Sequence, residues 1–270
     1  MANINRNPRF GNRNAKRRTL MDSNVAFPVT EAYKTLRTNI SFALSTKKNK
    51  IFAVSSALAS EGKSTVAANI AITLAQNSYH VLLIDGDLRK PVQHRVFTIK
   101  NEVGLSTLIS GSNTFKEIVH HDVIENLDIV PCGPIPPNPS EMLGSDNMKM
   151  LLEQLSVHYD YIIIDTPPIN LVTDALTLLP SIAGVLLVAK HAQSTYDAIE
   201  EAINAIKMAD GSLLGVVVSN VSVSGGKYGG KYSYKYKYGY KYGYGYGEYS
   251  DYSTPGATSA TQKSSDGKDV

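Results

Sequence analysis

The 270-residue sequence predicts an α/β fold: a mostly parallel central sheet with helices on both faces, and a tail at either end. Three observations predict it. From about residue 50, short continuous apolar runs alternate with helical stretches, and strands apolar at every position belong to sheets covered on both faces. The apolar share of 43% is compatible with a substantial core. After Val223 the composition changes abruptly, and residues 224–252 are almost only Gly, Tyr, Lys and Ser, a mixture that builds no core.

Residues 1–28 lack apolar periodicity and are expected to be a disordered basic tail. Ala32, Tyr33, Leu36, Ile40, Ala43 and Leu44 recur at helical spacing. Strands are expected at 51–55, 81–84, 127–130, 161–164, 185–188 and 214–218, and helices at 66–76, 148–157, 173–181 and 195–209. Residues 86–104 have no clear period, and 131–144 are dense in Pro and Gly, so both read as loops. The division is therefore a tail at 1–28, one domain at 29–223 and a tail at 224–270 with a tyrosine cluster at 228–252.

A single cysteine, Cys132, rules out an internal disulfide and fits a reducing compartment. No apolar run approaches the roughly 18–20 residues that span a bilayer, and the Asn- and Arg-rich N-terminus has no apolar core of a secretory signal. Residues 1–21 carry six basic groups and residues 227–247 five lysines, without any acid. These eleven charges exceed the net +3 by eight, so the rest of the chain is acidic.

Residues 57–65, Ala-Leu-Ala-Ser-Glu-Gly-Lys-Ser-Thr, follow a strand and open a helix, the context a phosphate-binding loop requires. The backbone N–H groups of Ala59, Ser60, Glu61, Gly62, Lys63, Ser64 and Thr65 are candidates to wrap the phosphates at the positive end of the helix. Lys63 can reach the β- and γ-phosphates and the Ser64 hydroxyl can ligate Mg²⁺. The strict pattern has Gly where this chain has Ala57, which requires a negative φ there.

Val81-Leu82-Leu83-Ile84-Asp85-Gly86-Asp87 places two carboxylates at a strand's C-terminal end, and Tyr161-Ile162-Ile163-Ile164-Asp165 a third. Ligands of open α/β sheets sit at this edge, and hard carboxylate oxygens suit Mg²⁺. One such Asp is ordinarily a loop or cap residue; three around one phosphate loop point to a metal-nucleotide site.

These motifs together resemble the bacterial tyrosine kinases of capsule and exopolysaccharide operons, in the type where the kinase is a separate cytoplasmic polypeptide. The resemblance runs over about residues 29–252. It rests on Glu31-Ala32-Tyr33-Lys34-Thr35-Leu36-Arg37, the loop ending at Thr65, Asp85-Gly86-Asp87-Leu88-Arg89-Lys90-Pro91, Pro136 to Leu143, Asp165-Thr166-Pro167-Pro168 and the tyrosine cluster. It implies a P-loop ATP-dependent tyrosine kinase using Mg²⁺, with Lys63, Asp85, Asp87 and Asp165 catalytic. Asp85 would orient or deprotonate the tyrosine hydroxyl, and Ser64, Asp87 and Asp165 would serve the metal. Arg89 would contact phosphate or brace the loop, and Asn220 would meet adenine. The acceptors would be Tyr228, Tyr232, Tyr234, Tyr236, Tyr238, Tyr240, Tyr242, Tyr244, Tyr246, Tyr249 and Tyr252, besides tyrosines of other proteins. Glu31, Lys34 and Arg37 would mediate self-association, in the family as a ring, although the family has Arg at the position of Lys34. The implied partner is a membrane-spanning polysaccharide co-polymerase that recruits the kinase to the inner membrane face.

Two other readings compete. A partition- or cell-division-type ATPase shares the fold, but has an extra early Lys in the phosphate loop, where Leu58 and Ala59 stand here, and no acceptor tail. A Lys/Tyr/Gly tail also suits stacking on single-stranded nucleic acid, a reading disfavoured by the absence of Arg in the cluster.

Overall fold

The structure, a computed structural model, describes residues 19–22 and 25–221. The tyrosine cluster and most of the N-terminal basic stretch lie outside the described residues. Within them, seven strands form one sheet: β1 (Ile51–Ser56), β2 (Val81–Asp85), β3 (His120–Ile124), β4 (Leu127–Val130), β5 (Tyr161–Asp165), β6 (Gly184–Lys190) and β7 (Leu213–Ser219). Their order across the sheet is β3-β4-β2-β5-β1-β6-β7, and every neighbouring pair is parallel except β3 with β4.

The continuous apolar strands are explained by where their alternate side chains go. Phe52, Val54, Val81, Leu83 and Ile163 enter one core with α1 (Phe27–Leu44) and α2 (Lys63–Ala75). Leu82, Ile84, Ile162 and Ile164 enter a second core on the opposite face with α7 (Asp146–Leu155). Ala53, Val185 and Leu187 pack under α9 (Tyr196–Met208) in a third. Each such apolar side chain contributes about 1.5–3 kcal/mol relative to exposure. Helix α2 is buried along almost its whole length, because α1 covers the side that the sheet does not. Arg37 fastens the pair by donating from Nη1 to the Thr73 carbonyl at 3.0 Å.

Several short elements depart from the expected pattern. The stretch read as a loop at 86–104 contains α3 (Gln93–Val96), and the Pro/Gly-dense loop contains α6 (Pro139–Leu143), with Pro139 at its start, where the missing N–H costs nothing. Between β2 and β4 lie α4 (Leu105–Ile109), α5 (Phe115–Ile118) and the edge strand β3, whose His-His-Asp start and half-exposed pattern give no strand signal. The expected helix at 173–181 is α8 (Asp174–Thr177) followed by a 3-10 turn at Leu179–Ser181. Near the N-terminus, Thr19–Asp22 forms a turn in which Thr19 is buried and the Leu20 N–H donates to Asn69 Oδ1 of α2 at 2.8 Å.

The topology brings the carboxyl ends of β2, β5 and β1 side by side. Asp85 and Asp165 stand opposite each other in register, and Val54 pairs with Asp165 on the other side. This is the edge where open α/β sheets bind ligands.

Candidate active site

The site grows out of the turn between β1 and α2. Ala57 is not among the residues with positive φ, so its methyl group is tolerated where the strict motif has Gly. Ser60 (φ 67°) and Gly62 (φ 97°) do take the left-handed conformation and curl the loop back to the helix. At Gly62 the positive φ itself calls for glycine, and a Cβ there would also crowd Ser219 Oγ at 3.3 Å. Gly86 serves the aspartate pair in another way: a Cβ there would lie 2.7 Å from Ile164 Cγ2, so only glycine lets the Asp85–Asp87 turn lie against β5.

Lys63, the first residue of α2, directs its ammonium between two carboxylates. Nζ lies 2.8 Å from Asp87 Oδ2 and 3.4 Å from Asp165 Oδ1, and donates to Ser64 Oγ at 3.2 Å. Burial opposes its charge, but the carboxylates of Asp165 and Asp87 outweigh burial and hold it above the ordinary lysine value. Asp87 is fixed from behind by the Lys90 N–H, which donates to Oδ1 at 2.9 Å.

Asp85 is fully buried, and its Oδ2 accepts the N–H groups of Val92 and Gln93, both at 2.9 Å. Its Oδ1 has no partner among the described residues. Burial, then the nearby charge of Asp165, push this carboxyl up to about 7, although the two N–H donors and Lys63 pull the other way. It therefore sits near neutrality, unlike an ordinary aspartate.

The donor set fits Mg²⁺. Asp87, Asp165 and Ser64 present hard oxygens around one point, and the Lys63 ammonium already lying between the two carboxylates shows that they jointly hold positive charge.

Other residues turn out to be braces. Glu61, 1% exposed, directs its carboxylate inward, accepting the Leu58 N–H at 2.8 Å and the Ser194 hydroxyl; its carbonyl accepts from Ser219 Oγ at 2.8 Å. Its side chain shapes the loop, which leaves only its backbone N–H free to meet a ligand. Ala59 and Ser60 are exposed at the loop's tip. Asn220 follows β7 with φ 59°, next to the Ser219 that touches the loop. Arg89 turns away from the loop and grips buried Asp174 with two bonds, Nε to Oδ2 at 2.9 Å and Nη2 to Oδ1 at 3.0 Å, while Ser140 donates to the same Oδ1. These bonds tie the segment after β2 to α6 and α8 and do not brace the phosphate loop. Glu31 and Lys34 pair with each other at 2.8 Å on the exposed face of α1, while Arg37 reaches inward as described. Cys132 is buried, its thiol pushed up to about 12 by burial, so it stays protonated and unreactive.

Comparison with known proteins agrees with this geometry. A family model described as an AAA domain matches residues 49–214. The tyrosine-protein kinase YwqD of Bacillus subtilis is 39% identical over 195 residues, covering 72% of this chain and 82% of the relative. The tyrosine-protein kinase CpsD of Streptococcus agalactiae is 35% identical, covering 73% and 85%. The chain belongs to the bacterial tyrosine-protein kinases. The kinase domain of Escherichia coli ETK superposes with a TM-score of 0.68 at 34% identity, covering 72% of this kinase and 78% of that chain. The chimerical protein CapA2B2 gives the same TM-score at 38% identity, covering 71% and 84%. Of the full-length Escherichia coli kinase etk, this kinase spans 27%. The septum site-determining protein MinD of Pyrococcus horikoshii, at 24% identity and a TM-score of 0.54, shares the fold alone.

The motifs pointed to Lys63, Ser64, Asp85, Asp87 and Asp165, and the structure brings these five together. Gln93, Asp174, Ser140 and Ser194 were not singled out. Ser140 stands in the Pro136–Leu143 stretch and the other three outside any motif; their side chains find their partners 29 or more residues away in sequence, a separation that no local spacing signals.

Proposed function

We propose that this kinase transfers the terminal phosphoryl group of ATP to tyrosines of its own cluster at 228–252, and so regulates synthesis and export of a capsular or extracellular polysaccharide. The observation that carries the reading is the Lys63 ammonium held between Asp87 and Asp165 at the head of α2, in a chain of this family. The N–H groups at the start of α2 and the Lys63 ammonium face the phosphates and neutralise the charge of a loose transition state. Ser64, Asp87 and Asp165 hold Mg²⁺, which when bound supplies further positive charge to the phosphate oxygens. Asp85 Oδ1, the unpartnered oxygen, accepts the tyrosine hydroxyl's hydrogen bond and then its proton. Burial moves this carboxyl from the ordinary aspartate value toward that of a tyrosine hydroxyl, about 10. Placing the hydroxyl in line is the larger effect. Asn220 lies on the adenine side.

The acceptors sit on a glycine-spaced segment, which gives the neighbouring subunit's site a high local tyrosine concentration. Glu31, Lys34 and Arg37 on α1 join subunits, and Arg37 does so while also holding α2. No helix among the described residues is long and apolar enough to cross a membrane. A membrane-spanning co-polymerase-type partner recruits and activates the kinase. Two likenesses support this: the chimera CapA2B2, and the much longer relative etk, of which this chain matches 27%.

Transfer between subunits is tested by mixing Lys63→Met protein with active protein lacking the tail. Phosphotyrosine is expected on the tail of the former. A tail that stays unlabelled in the mixture would reject transfer in trans.

A further inference from the structure

One residue outside every motif touches three of the five site residues. Gln93, the first residue of α3, is completely buried. Its Nε2 donates to Asp165 Oδ2 at 2.8 Å and to the Ser64 carbonyl at 3.0 Å. Its backbone N–H donates to Asp85 Oδ2 at 2.9 Å. The two side-chain partners are both acceptors, so the amide must present its nitrogen to them, and the orientation of the carboxamide is fixed by the network. Its Oε1 is then left buried with no partner among the described residues, in the same cluster as the unpartnered Asp85 Oδ1.

An apolar side chain would fill this volume without such cost. A buried primary amide is favourable only where its donors are used, and an orphaned acceptor keeps the full cost of its lost hydration. The cost makes sense if the amide acts on Asp165. One oxygen of that carboxylate is taken by Gln93 and the other faces Lys63, so the carboxylate has a single orientation. The second bond ties the same amide to the first turn of α2, where Ser64 and the phosphate-facing N–H groups begin.

We infer that Gln93 is a positioning residue of the phosphotransfer site: its carboxamide orients Asp165 and the head of α2 as one unit. The inference rests on the site assignment above. It assigns the metal-dependent part of nucleotide binding, and the turnover that follows, to a residue that makes no contact with the nucleotide.

The test uses Gln93→Met, close in volume and shape but without donors, and Gln93→Asn, which keeps the amide but withdraws it by one methylene. Binding of a fluorescent ATP analogue is measured with Mg²⁺ and with EDTA, alongside steady-state kinase turnover. The expected result for both variants is loss of about 10-fold in the Mg²⁺-dependent gain in affinity and about 10- to 100-fold in kcat, the range found for outer-shell partners of metal ligands. Binding in EDTA stays within about threefold of the parent, while the KM for ATP in Mg²⁺ rises with the lost affinity. A Gln93→Asn protein with the parent's Mg²⁺-dependent gain and kcat would overturn the inference, whether or not Gln93→Met folds. So would a raised KM with unchanged kcat, which would place Gln93 in ground-state nucleotide binding. A parent showing no Mg²⁺-dependent gain would instead overturn the site assignment and, with it, the role of Gln93.

Discussion

Asp85 concentrates the chemistry of the site into one titration. Its carboxyl is pushed from an ordinary 3.8 up to about 7 by burial and by Asp165. The folded chain therefore binds this proton more tightly than the unfolded chain, and between about 4 and about 7 rising pH favours unfolding. Denaturant titrations of parent and Asp85→Asn at pH 5 and pH 7.5 check the sign. The variant should gain on the parent by on the order of 1–3 kcal/mol between the two values. A difference that stays constant across this window would contradict the assignment. Asp85 was legible because it ends an apolar strand two residues before a second Asp. Its unusual titration was not, since it arises first from burial in the folded sheet and then from Asp165 in the neighbouring strand, 80 residues away in sequence. Glu61 shows the same limit. Its backbone N–H was the group expected at the phosphates, and nothing in the loop signals that its carboxylate takes up the hydroxyl of Ser194, which lies 133 residues further on.

Among elements, the long ones followed from periodicity and the short ones did not. Helices α1, α2, α7 and α9 and the six mostly apolar strands were expected close to their observed positions, because each buries a face long enough to repeat its pattern. Helices α3 to α6 span five residues at most, too few for a helical period, and the polar start of β3 hides a strand that pairs only along one edge. These short elements carry the braces. The Arg89–Asp174–Ser140 clasp joins the loop after β2 to α6 and α8. Arg89→Ala leaves the Asp174 carboxylate buried without its cation, and should cost about 1–3 kcal/mol of stability once the 40% exposure of the Arg89 side chain is allowed for. Asp174→Asn should cost a similar amount, and the double variant less than the sum, because the two share one interaction. ATP affinity should stay within about threefold throughout. If Arg89→Ala instead loses ATP binding while keeping its unfolding midpoint, Arg89 is a phosphate ligand and the clasp is incidental.

For the molecule as a whole, the sheet order converts three distant motifs into one site. Strands β2, β5 and β1 are adjacent although 29 to 109 residues separate their carboxyl ends, and these ends deliver Asp85, Asp165 and the phosphate loop to a single edge. That convergence was expected from the general behaviour of open parallel sheets, and the register Asp85 to Asp165 fulfils it. The same architecture serves proteins that only hydrolyse ATP, so the fold alone does not separate kinase from ATPase. The most direct measurement is mass mapping of residues 224–252 after incubation with Mg-ATP, with and without the cytoplasmic end of a co-polymerase partner, for parent and Lys63→Met. Phosphate on one or more of Tyr228 to Tyr252 in the parent, and on none of them in Lys63→Met incubated alone, is the predicted result. Release of inorganic phosphate from ATP with every one of those tyrosines unmodified in both conditions would contradict it.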